Sequence, residues 1–133
     1  MSVFGGLLFF SVPARAAFPG RNGLIAWTHP TSLTTDAEIF VMTPNGAVIR
    51  QLSHNKQNDF FPAWSPDGRF LAFESSSSTD DDIWVMNATG TGAHNVSNTD
   101  GVADRGPAWS PDGARIAFWR QHFDGTSEIW VMN

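Results

Sequence analysis

The heptapeptide PAWSPDG occupies residues Pro62 to Gly68 and returns unchanged at Pro107 to Gly113, 45 residues further along the chain. Laying the sequence on itself at that spacing aligns RFLAF (residues 69–73) with ARIAF (114–118). At a spacing one residue longer, DIWVMN (82–87) aligns with EIWVMN (128–133). A weaker copy comes earlier, where NGLIAW (22–27) stands for the element after the turn and EIFVMT (38–43) stands for DIWVMN. The chain is therefore a repeat, and its recurring part is a turn flanked by short apolar runs.

Each unit reads as four short strands bounded by turn residues. In the central unit these are residues 60–65, 69–75, 82–87 and 93–97. Pro presets φ for a type I turn, and the Gly that follows takes a left-handed conformation, so Ser-Pro-Asp-Gly closes the hairpin between the first two strands with a bulge. The stretch ATGTG (88–92) turns the third strand into the fourth. Runs such as FLAF, IWVM and IAFW carry no alternation, so both faces of these strands are expected to be covered. A two-sheet sandwich, the second architecture to consider, would leave one polar face per strand and should alternate. A period of this length and two-sided burial point instead to an all-β fold of β-propeller blades, each a sheet of four antiparallel strands packed between neighbours. Six Trp and eleven Phe supply the bulk for packing sheet on sheet. The expected division is a partial blade over 17–58, a complete blade over 59–103 and a partial blade over 104–133. Closed propellers hold about four to eight blades, so the chain is expected to be a fragment of a longer propeller. Its end sheets are expected to expose apolar faces and promote self-association.

Eight basic against thirteen acidic residues give a net charge of -5. That balance argues against attraction to nucleic acid or an anionic membrane surface and favours basic partners. There is no Cys, so neither disulfides nor thiolate metal sites are available. At the N-terminus the apolar run VFGGLLFFSV precedes Ala14-Arg15-Ala16, a small-x-small pattern that reads as a signal cleavage site. Residues 1–16 are thus expected to be the remnant of a signal peptide, although no Lys or Arg precedes the apolar run. The mature chain would start near Ala17 and be periplasmic or secreted. The run is shorter than the roughly 20 residues that a membrane-spanning helix requires, so no membrane insertion is expected after cleavage.

The segment PAWSPDGRFLAFESSSSTDDDIWVMNATGTGAHNVS resembles the TolB-like, or WD-like, β-propeller repeat. The matching positions are Pro62, Trp64, Ser65, Pro66, Asp67, Gly68, Ala72, Phe73, Ile83, Met86, Asn87 and Gly90. A second set runs Pro107, Trp109, Ser110, Pro111, Asp112, Gly113, Ala117, Phe118, Ile129, Met132 and Asn133. The first copy departs from the pattern, with Asn22-Gly23 in place of Pro-Asp-Gly. The resemblance implies a non-catalytic platform for protein or peptide binding. It extends as well to the propellers that gate prolyl oligopeptidase-type serine peptidases, which makes a gating propeller, with its catalytic domain outside this chain, the alternative. The matched positions build the blade, so the resemblance carries over no binding residue.

Catalytic signatures are absent from the sequence. No Gly-x-Ser-x-Gly elbow occurs, and His29, His54, His94 and His122 stand singly without metal-ligand spacing. No cofactor is expected. Asp80, Asp81 and Asp82 form an acidic run, yet the loop lacks the ligand order of an EF-hand, so calcium is only a secondary expectation. Hairpin connectivity places the tight turns on one face of the disc and the longer, dissimilar loops on the other. Binding is expected on the long-loop face, where unequal loops sit on a rigid scaffold. Asp59, Asp80, Asp81, Asp82, Asp104 and Asp124 are the candidate binding residues there, for a basic peptide segment. Asp59 and Asp104 are equivalent in the repeat and are expected to ring the mouth of the central channel.

Overall fold

The structure, a computed structural model, describes residues 23–31, 36–47, 49–77 and 80–133. The expected signal segment lies outside these residues, as do 32–35 of the first long loop and 78–79 of the serine run.

Three successive antiparallel meanders follow the repeat. The first, blade 1, comprises β1 (Ile25–Pro30), β2 (Ala37–Met42) and β3 (Ile49–Gln51). Blade 2 comprises β4 (Asn58–Trp64), β5 (Phe70–Ser76), β6 (Asp81–Asn87) and β7 (His94–Asn95), paired in chain order. Blade 3 comprises β8 (Val102–Trp109), β9 (Ile116–His122) and β10 (Ser127–Met132). A single parallel bridge, Asp81 to Ala103, joins blade 2 to blade 3. The central strands fall within two residues of their expected limits, except that the fourth keeps only two ladder residues. Its pairing continues less regularly, with the Val96 N–H donating to the Ile83 carbonyl at 2.9 Å and the Ile83 N–H donating to Ser97 Oγ at 3.0 Å.

Two-sided burial explains the missing alternation. From β5, Leu71 and Phe73 pack toward blade 1 with Ile39, Val41, Leu52 and Met86, while Ala72 from the opposite face joins Ile83, Val85, Ile116 and Phe118 against blade 3. Successive residues of a strand point to opposite faces, so a strand lodged between two sheets must be apolar at every position. Each of the larger of these side chains contributes about 1.5–3 kcal/mol on full burial. The Trp109 indole adds a polar stitch, its N–H donating to the Ala63 carbonyl of blade 2 at 3.1 Å.

The repeated turn has the expected backbone. Gly68 and Gly113 have φ of 70° and 71°, the left-handed region that suits Gly, and each donates its N–H to the carbonyl of Ser65 or Ser110 at 2.9 Å. Ser and Asp do more than favour a bend. Ser65 Oγ donates to Asp67 Oδ1 at 2.7 Å, the Arg69 N–H donates to the same oxygen at 3.0 Å, and the Phe70 N–H donates to Ser65 Oγ at 3.0 Å. The same three bonds recur among Ser110, Asp112, Ala114 and Arg115. The serine hydroxyl, then the backbone N–H, holds each Asp carboxyl below its ordinary range.

Candidate binding face

Antiparallel connectivity collects the β1–β2, β5–β6 and β9–β10 loops at one end of the blades, together with the β3–β4 and β7–β8 connectors. The turns after β2, β4, β6 and β8 lie at the other end. At that turn end, a shallow groove between the two Ser-Pro-Asp-Gly turns is lined by Pro66, Phe70, Trp109 and Asp112. One Asp112 oxygen there is already taken by its own turn.

Asp59 and Asp104 do not offer carboxylates to a channel mouth, which corrects the sequence expectation. Both are fully buried, at 0% exposure. Each lies inside its strand, second in β4 and third in β8, with its side chain engaged by the neighbouring strand of the same blade. A buried carboxyl requires hydrogen-bonding partners, and the two blades supply different ones. Asp104 accepts two bonds from Arg120, at 2.6 Å from Nε and 2.7 Å from Nη2. Arg120 also donates to Thr99 Oγ1 at 2.9 Å and stacks on Trp130 at 4.1 Å. Asp59 instead accepts from Ser75 Oγ at 2.6 Å and Asn55 Nδ2 at 2.9 Å.

Behind each of these acids stands a second from the preceding blade. Glu38 accepts from Ser53 Oγ and, at 3.1 Å, from the Asn55 N–H. Asp82 accepts from Ser97 Oγ at 3.1 Å, the Thr99 N–H at 3.3 Å and Asn95 Nδ2 at 2.8 Å. Glu38 and Asp59 have no Lys, Arg or His in ion-pair range among the described residues. Burial pushes both carboxyls above their ordinary values, against the hydrogen bond from Ser53 to Glu38 and those from Ser75 and Asn55 to Asp59.

Asp81 is likewise built into the scaffold. It accepts from Arg105 Nε at 2.7 Å and Nη2 at 2.5 Å, and from Ser76 Oγ. Arg105 lies 3.9 Å from Glu74, whose carboxyl is pushed up to about 7 by burial and by the charge of Asp81, with Arg105 opposing. Only Asp80 and Asp124 remain at loop tips. Asp80 closes the β5–β6 loop through backbone bonds with Ser77, and Asp124 is exposed, accepting from the Thr126 N–H at 2.9 Å and Oγ1 at 2.6 Å. Among the described residues no group of three or more His, Asp or Glu is placed to hold a metal ion.

Two features escaped the sequence reading. Phe61 in β4 has a φ of 50° and is 62% exposed, and Phe123 at the tip of the β9–β10 loop is more exposed still. Aligning Phe61 with its repeat equivalent, Gly106, is the signal that would have found the first. The second carries no signal beyond a large apolar residue beside Asp-Gly.

The family model described as the TolB beta propeller domain matches residues 25–133. No curated protein matches. Among solved structures, a TolB of Agrobacterium tumefaciens superposes with a TM-score of 0.70 at 23% identity, over 81% of this chain and 41% of that one. TolB from Acinetobacter baumannii gives 0.61 at 22% identity, over 81% of this chain and 26% of that one. A chain of a nidogen/laminin complex gives 0.58 at 15% identity, over 84% and 45%. The chain thus spans less than half the length of each. At these identities the superpositions establish a common fold, and the family match extends over every described strand: the chain belongs to the TolB β-propeller domain family.

Proposed function

We propose that the protein is an exported, non-catalytic propeller platform that binds a basic peptide segment of a protein partner on its long-loop face. The observation that carries this reading is the contrast between the two ends of the blades. At one end, the repeated turns spend their polar groups on themselves. At the other, loops of unequal length and sequence stand on a scaffold fixed by buried acids that are ion-paired or hydrogen-bonded within the blades, the arrangement in which binding residues are usually placed. Thirteen acids against eight bases supply the long-range attraction for a basic segment. Export rests on the small-x-small pattern at Ala14-Arg15-Ala16. No helix among the described residues is long and apolar enough to cross a membrane.

Because Asp59 and Asp104 are buried, reversing them would test folding rather than binding. Asp80, half-buried at the end of its loop, and the exposed Asp124 are the better probes. In the full chain, the double substitution Asp80→Asn with Asp124→Asn should weaken binding of an oligolysine peptide about threefold to tenfold at low salt and reduce its salt dependence. Thr89→Lys with Ala114→Lys changes the net charge equally at the turn end and should have the smaller effect. An equal or larger loss from that second pair moves the binding face to the turns. Calcium added to the wild-type chain serves as the competing occupant, and displacement of the peptide at micromolar calcium would replace this reading with a cation site.

A further inference from the structure

Phe61 sits where the pairing of β4 with β5 is interrupted. Phe60 lies opposite Glu74 and Ala63 opposite Ala72, so Phe61 and Pro62 together face the single residue Phe73. Such a bulge bends the strand and re-aims a side chain. Blade 3 builds the same bulge, with Arg105 opposite Trp119 and Ala108 opposite Ala117. There the first bulged residue is Gly106, with a φ of 58°. Gly adopts that conformation freely, and a bulky L-residue does so at a cost in strain. Phe61 carries that strain without recovering it through burial, since most of its side chain is exposed and, among the described residues, its one ring neighbour is Phe60, with centroids 6.1 Å apart. A strained, exposed aromatic at a position that blade 3 fills with Gly is unexplained by packing, and such outliers concentrate at functional positions. Its location agrees with a binding role. β4 is the terminal strand of its sheet, and Phe61, its fourth residue, lies three residues, or about 10 Å along the strand, from its long-loop end at Asn58.

We propose that Phe61 is the apolar anchor of the binding face, held out from the bulge to receive an aliphatic side chain of the basic peptide segment. The inference rests on the basic-peptide reading above and adds a selectivity to it: the acidic surface selects for charge, and the ring selects for an apolar residue between the cations.

The test compares two peptides of equal length and charge, one of lysine and leucine, the other of lysine and serine, titrated into the full chain. The wild type should prefer the leucine peptide by about threefold to tenfold. Phe61→Gly, and Phe61→Asn as a second residue that tolerates the left-handed region, should abolish that preference, chiefly by weakening the leucine peptide. Both variants should melt no lower than the wild type. Persistence of the preference in both variants overturns the proposal, as does melting of both several degrees lower, which would make Phe61 a packing residue. Equal binding of the two peptides by the wild type overturns the anchor alone. Binding of neither overturns the basic-peptide reading and the anchor with it.

Discussion

Ser75 and Arg120 occupy the same position in successive blades, and each faces a fully buried aspartate, yet the two aspartates are held in opposite ways. In blade 3 the charge of Asp104 is met by a guanidinium that is itself buried between the carboxylate and the Trp130 ring. In blade 2 the carboxyl of Asp59 has only neutral donors, with Glu38 of blade 1 as a second buried acid nearby. One fold thus closes equivalent joints by ion pairing or by hydrogen bonding combined with a raised proton affinity. The choice depends on a single residue of the second strand.

The largest effect should come from removing the arginine. Arg120→Ala strands Asp104 in the interior and should cost about 3–5 kcal/mol in urea unfolding. Ser75→Ala removes one neutral donor and should cost about 1–2 kcal/mol. Equal losses would mean that the two joints are not held differently after all.

The pH dependence of stability sharpens the contrast. Glu74 has an ordinary value of 4.5 and is pushed up to about 7 in the folded chain, so the folded state holds more protons than the unfolded state between those values. Stability must then fall as pH rises from about 4.5 to about 7, and level off above. Glu74→Gln should remove a loss of roughly 1–3 kcal/mol over that window. Glu38 and Asp59 are raised in the same direction, so the slope that remains should flatten further with Glu38→Gln. A residual slope of opposite sign in Glu74→Gln would contradict the account of the blade 1 joint.

Away from the joints, blades 2 and 3 should behave alike. Gly68→Val and Gly113→Val each force a β-branched residue into φ near +70° and should cost about 1–2 kcal/mol apiece. Arg69→Ala, at an exposed side chain in the same turn, should stay within about 0.5 kcal/mol of the wild type. An added Cβ meets nothing within 4 Å at Gly68 and Pro66 at 3.5 Å at Gly113, so a larger loss at Gly113 would show that this contact adds to the backbone strain.

The fold was legible because its signals are local and repeated. Ser-Pro-Asp-Gly fixes a turn from four adjacent residues, and the unbroken apolar runs at 70–73 and 83–86 report a neighbour on each side. The candidate site was legible only in part. An aspartate just ahead of an apolar run reads as a solvated loop acid, and what buries Asp104 is Arg120, which is 16 residues away in sequence and adjacent only once β8 and β9 pair. Phe61 was hidden for a different reason: its residue type opposes its conformation, so propensity points away from the bulge that the backbone forms.

The segments Ile83 to Met86 and Ile129 to Met132 have the same four residues. Ile83 is fully buried, and Ile129 and Val131 are 73% and 56% exposed. The difference lies entirely in what stands beside the strand, since blade 3 covers Ile83 and Val85 and no described blade covers β10. Stability in this chain is therefore held in couplings between neighbours rather than within each repeat, as in a one-dimensional array. Blade 2, flanked on both sides by described blades, is where folding should nucleate and where amide hydrogens should exchange most slowly.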